Sequence, residues 1–142
     1  MRFVLDNSVA MRWLFRDGSG QDTEDADAVL ATLEHTEAQA LSPGIWLLEA
    51  GDVVVRAEAR GWITEAEGRE FTHLLEHMAI RIDPELQGPA FGHVIDLARR
   101  FNLSTYDAAY LELALREGIA LATLDASLRK AAEQTGTALM KA

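Results

Sequence analysis

Cysteine is absent from the 142-residue chain, which excludes a disulfide framework and any thiolate-ligated zinc site. Proline occurs only three times, and no Pro-, Gly- or Ser-rich linker divides the sequence, so one domain over residues 1–142 is expected. No uncharged stretch approaches the roughly 20 residues of a membrane span, and Asp6 cuts the N-terminal apolar run too early for a signal peptide. A cytoplasmic protein with no membrane partner is the expectation. Basic residues are scarce as well: 13 Lys and Arg against 23 Asp and Glu leave a net charge of -10. That balance argues against broad adhesion to nucleic acid, which depends on phosphate neutralisation, unless local basic patches or bridging cations intervene. What the chain has in quantity is apolar residues, 49% of the total and ample for one core.

The apolar run Phe3-Val4-Leu5 lacks polar alternation, the mark of a strand buried on both faces, and it stops on Asp6. Val9, Ala10, Trp13 and Leu14 then recur at helical spacing. Arg16–Thr23 is polar and glycine-rich and reads as a loop. A helix from Asp22 or Thr23 carries Ala26, Val29, Leu30 and Leu33, and Ala40-Leu41 makes a very short strand. Ser42-Pro43 reads as the cap and first turn of a helix that runs to about Arg60 and ends at Gly61. Thr64-Glu65-Ala66-Glu67 has the form of a capping box ahead of Phe71, Leu74, Leu75 and Met78.

Ala79–Asp83 is a candidate strand. After Gly88-Pro89 a helix carries Phe91, Val94, Ile95, Leu97 and Ala98 to about Asn102, and another runs from Ser104 to Gly118. Ile119–Thr123 then repeats the N-terminal pattern, an apolar run followed by a carboxylate, here Asp125. A helix through Leu128, Ala131 and Ala132 stops at Gly136, and Thr137–Met140 supplies a last strand. Short strands alternating with helices imply right-handed crossovers, a parallel sheet and helices on both faces.

Four acidic residues stand among apolar or small neighbours: Asp6, Glu49, Asp107 and Asp125. Taken singly, Asp6 and Asp125 read as caps of the helices that follow them, and Asp107 as part of a capping arrangement with Ser104. Glu49 resists that explanation, since Ile45, Trp46, Leu47, Leu48 and Ala50 flank it in what reads as a buried helix, where a lone charge is costly. Taken together, the topology places Asp6, Asp107 and Asp125 on one edge, where strand ends and helix N-termini meet. Glu49, two turns into its helix, must reach that edge with its long side chain. Clustered carboxylates repel one another and take up protons unless a cation joins them. Oxygen donors without cysteine suit Mg²⁺, with Mn²⁺ as substitute.

Val4-Leu5-Asp6-Asn7-Ser8-Val9, Pro43-Gly44-Ile45-Trp46-Leu47-Leu48-Glu49, Leu103-Ser104-Thr105-Tyr106-Asp107-Ala108-Ala109-Tyr110-Leu111 and Ala122-Thr123-Leu124-Asp125 resemble, in order, the motifs of PIN-domain nucleases. They look particularly like the compact VapC-type toxins of toxin–antitoxin pairs. The resemblance implies a Rossmann-like three-layer α/β/α fold with a short, mainly parallel central sheet. It also implies a Mg²⁺- or Mn²⁺-dependent endoribonuclease, the toxic component of a type II pair, acting on RNA, held by a cognate antitoxin and commonly a homodimer. Carried over position by position, Asp6, Glu49, Asp107 and Asp125 match the family's acidic quartet, with Asp6 and Asp107 first as direct ligands. Ser8 and Thr123 match small hydroxyl residues that line the site, and their reading as turn and cap residues stands beside that one. Thr123 lies where other members can carry a further acid.

Rival signals are fewer. His73-Leu74-Leu75-Glu76-His77 matches the H-x-x-E-H pattern of inverted zinc proteases, yet Phe71, Leu74, Leu75 and Met78 account for the segment as an ordinary amphipathic helix. Asp6-Asn7-Ser8 lacks the second aspartate of haloacid-dehalogenase-like phosphatases. Arg12, Arg56, Arg60, Arg69, Arg99 and Arg100 read as solvated or ion-paired residues before RNA contacts, and Trp13, Trp46 and Trp62 as core or interface. The apolar surface assigned to a partner lies on the helices from Ile45 to Val55 and Phe71 to Met78. From a different functional class, a noncatalytic module with an acidic pocket for a cation or basic peptide fits the same residues.

Overall fold

The computed structural model describes residues 1–15, 20–35 and 37–140. Residues 16–19, the first half of the Arg16–Thr23 loop, lie outside them. Four strands are described, β1 (Arg2–Leu5), β2 (Gln39–Pro43), β3 (Ile80–Asp83) and β4 (Ala120–Ala122), all parallel in the order β3-β2-β1-β4. The helices are α1 (Asn7–Leu14), α2 (Gln21–Leu33), α3 (Ile45–Ala59), α4 (Glu65–Glu76), α5 (Ile95–Phe101), α6 (Thr105–Glu117) and α7 (Ala126–Thr135).

The chain steps from β1 to β2 to β3 in one direction and then crosses back over the sheet to β4 beside β1. Right-handed crossovers therefore put α1–α4 on one face and α5–α7 on the other, the three-layer α/β/α arrangement expected from the sequence. The reversal leaves a crevice between the ends of β1 and β4, the kind of place where open α/β sheets bind ligands. Phe3, Val4 and Leu5 of β1 and Leu121 of β4 are fully buried, as strands covered on both faces must be. Helix α6 lies on β1, β2 and β4 and buries every residue from Ala108 to Ala114. Its end at Gly118 requires a left-handed backbone, φ 65°, which glycine adopts without strain; Asn102, φ 53°, does the same after α5.

Several expectations change. Ser42-Pro43 does not start a helix: both residues end β2, Ser42 is fully buried, and its hydroxyl donates 2.7 Å to the Leu5 carbonyl. Helix α3 begins after Gly44 instead, and it is not a buried helix, since Leu47 and Leu48 are 55% and 72% exposed. The helix after Pro89 opens with a π-helical turn, Ala90–Val94, and becomes α-helical only from Ile95. Thr137–Met140 is no full strand but one parallel bridge, Leu121 to Leu139. The capping box at Thr64 forms as expected, with both reciprocal bonds to Glu67.

Candidate active site

Asp6 is the first residue past β1. Its backbone still belongs to the sheet, since its amide donates to the Ala122 carbonyl at 3.0 Å. Its carboxylate, 4% exposed, makes no cap bond to α1, so the capping reading fails for this residue. Instead Oδ2 accepts from Ser8 Oγ at 2.6 Å and from Thr123 Oγ1 at 2.7 Å, the latter 117 positions away in sequence. Each hydroxyl spends its single proton on Asp6 and takes a backbone amide in return: Leu124 N donates to Ser8 Oγ at 2.9 Å and Asp125 N to Thr123 Oγ1 at 3.1 Å. Ser8 and Thr123 therefore clamp the end of β1 to the turn after β4.

Asp125 does act as a cap, its Oδ1 accepting from Leu128 N at 2.8 Å at the start of α7. Asp107 stands in the first turn of α6, its amide donating to Ser104 Oγ at 3.0 Å. Glu49, half-buried on α3, accepts from the Tyr110 hydroxyl at 2.6 Å. Burial is the main force raising the pKa of Asp6, with repulsion from Asp125 adding to it and the Ser8 and Thr123 hydroxyls opposing it. Burial likewise raises Glu49 and Asp107; Asp6 and Asp107 repel Glu49, and Asp6 and Asp125 repel Asp107. Asp6 is thus the common neighbour, near enough to Glu49, Asp107 and Asp125 to interact with each. They do not form a closed ligand set: among the described residues no three His, Cys, Asp or Glu side chains stand close enough to hold a metal ion as placed.

The sequence pattern left two partners unread. Tyr110 reads as core by spacing, yet its hydroxyl holds Glu49; its place three residues after Asp107, on the same helix face, was the available signal. Arg129, four residues after Asp125, donates from Nε to the Thr123 carbonyl at 2.8 Å and from Nη2 to Asp25 at 3.2 Å, tying α2 to the clamp. The rival zinc motif gains little. His73 and His77 are exposed with ring centroids 4.3 Å apart, and His77 Nδ1 is engaged with the His73 carbonyl at 2.8 Å. Arg56, Arg69 and Arg99 are paired with Asp52, Glu65 and Asp96. Trp13 and Trp46 are core, whereas Trp62 is 65% exposed under the Arg60 guanidinium.

A family model for the PIN domain matches residues 3–134. No curated protein matches the sequence significantly. Among solved structures the chain is similar to PAE2754 from Pyrobaculum aerophilum, at 23% identity and TM-score 0.62 over 92% of this chain and 87% of that one. It is similar also to VapBC2 from Rickettsia felis, solved bound to a DNA fragment from its promoter, at 12% identity and TM-score 0.68 over 98% and 97%. VapC20 from Mycobacterium tuberculosis, described as a sarcin–ricin loop cleaving toxin, gives 12% identity and TM-score 0.62 over 99% of both chains.

Proposed function

Since the chain belongs to the PIN-domain family, we propose that it is a divalent-metal-dependent endoribonuclease, the toxin of a type II toxin–antitoxin pair. The observation that supports this reading is the placement of Asp6 after β1, Asp125 after β4 and Asp107 in the first turn of α6, with Asp6 near enough to repel both Asp107 and Glu49 and Asp125 near enough to repel Asp6 and Asp107. The donor set fits a hard cation: carboxylate oxygens with no sulfur, and beside Asp6 in the chain the Asn7 side-chain oxygen, buried without a hydrogen-bond partner. Asp6 and Asp107 would be direct ligands, with Glu49 and Asp125 completing the site. Mg²⁺, or Mn²⁺ in its place, would supply an activated water and charge stabilisation at the phosphoryl group.

The chain's own residues do the rest. Ser8 and Thr123 fix the Asp6 carboxylate and oppose the rise in its pKa that burial causes. Helix α6 presents Asp107 from its N-terminal turn, where backbone amides favour negative charge, including a phosphate that approaches the same edge. A cation in the cup also answers the net charge of -10, because it gives an anionic substrate something to bind.

A cognate antitoxin would meet the exposed apolar residues on α3 and α4, Leu47, Leu48, Val55 and Leu74, the helices singled out from the sequence. It would also push a basic or bulky side chain toward the carboxylates. A homodimer belongs to the same proposal. In purified protein, Asp6→Asn and Asp107→Asn are each expected to lower Mg²⁺-dependent RNA cleavage by roughly 100-fold or more, in keeping with loss of a group that stabilises transition-state charge. Undiminished cleavage in either variant would defeat the assignment. A second reading, a noncatalytic acidic pocket for a cation or basic peptide, draws on the lack of a ready-made three-ligand cluster among the described residues. Cation binding without any cleavage would favour it.

A further inference from the structure

We propose that Tyr110 is a positioning residue for this reaction, its hydroxyl setting where the Glu49 carboxylate stands relative to Asp6. The inference rests on the function proposed above and deepens it. Glu49 rises from the second turn of α3 on a flexible side chain, whereas Asp6 directly follows β1 and Asp107 stands in the first turn of α6. Tyr110 is the opposite kind of residue: it is fully buried, its ring is packed in the core beneath the site, and its hydroxyl donates to Glu49 Oε1 at 2.6 Å. That is the short length of a bond to an ionised acceptor.

Asp107 and Tyr110 are three positions apart, so one face of α6 supplies a candidate ligand and the strut for another. A buried phenol needs an acceptor in any case. If Glu49 served only to satisfy Tyr110, removing the hydroxyl would leave metal binding and chemistry untouched; if Tyr110 serves Glu49, both would suffer.

The test is a double-mutant cycle of Tyr110→Phe and Glu49→Gln in the full chain, with Mn²⁺ affinity by calorimetry, kcat and KM on RNA, and thermal unfolding of every variant. Tyr110→Phe keeps the ring and is expected to leave KM for RNA unchanged while weakening Mn²⁺ binding and kcat roughly tenfold, the scale of a hydrogen bond to an ionised group. In the double variant the loss should equal that of Glu49→Gln alone, because Tyr110 acts through Glu49. Wild-type behaviour of Tyr110→Phe beside an impaired Glu49→Gln, or additive losses in the double variant, would overturn the proposal and leave the site reading standing. A harmless Glu49→Gln would sink both. Should Tyr110→Phe fold poorly, Glu49→Asp, which withdraws the acid by one methylene, must show the same loss; full Mn²⁺ affinity there would equally overturn it.

Discussion

The Asp6 carboxylate is only 4% exposed, where a charge is costly unless its neighbours compensate. Burial pushes its pKa above the ordinary 3.8, and Glu49 and Asp107 are raised above 4.5 and 3.8 in the same way. A carboxyl raised in the folded state binds more protons folded than unfolded, so between the ordinary values and the raised ones stability falls as pH rises. Metal-free protein is therefore expected to unfold at a higher temperature near about pH 5 than at neutral pH. Asp6→Asn keeps an acceptor for both hydroxyls while removing the charge. It should unfold a few degrees above wild type at neutral pH in chelator, with a weaker pH response, a stability gained where function is lost. Scanning calorimetry checks both, and earlier unfolding of Asp6→Asn would mean that the protein alone welcomes the charge. The four acids were legible in sequence because each interrupts an apolar setting. The roles of Tyr110 and Arg129 were not, since they depend on partners 61 and 104 positions away.

Among the elements, long periodic helices and the two buried strands ending near Asp6 and Asp125 were readable from spacing alone. Ser42-Pro43 was not. Local chemistry favours a helix start there, but the Leu5 carbonyl gives Ser42 a buried acceptor, and both Ser42 and Pro43 pair with β3. Tertiary pairing overrode the local signal. A second long-range feature ties elements together beyond the site. Arg116 of α6 bridges buried Asp83 at the end of β3, at 2.7 Å, and buried Glu112 on its own helix, at 2.8 Å. Arg116 holds the Asp83 pKa down, so this contribution is present above 3.8 and lost as pH falls through the depressed value, opposite in sign to the site acids. Arg116→Ala strands two carboxylates and should cost about 3–5 kcal/mol in urea unfolding at neutral pH. A cost under about 1 kcal/mol would place the pair with weak surface bridges.

For the whole molecule, strand order explains why residues from the two ends of the chain meet. The return from β3 to β4 sets Thr123 against Asp6 and opens the crevice at the point of reversal. For the proposed action on RNA, a chain with a net charge of -10 must borrow positive charge from a bound cation. The most direct test is a crystal soaked in Mn²⁺ and recorded at the manganese absorption edge. An anomalous peak in contact with Asp6 and Asp107 is the expected result. A peak only at His73 and His77, or none at millimolar Mn²⁺, would contradict it.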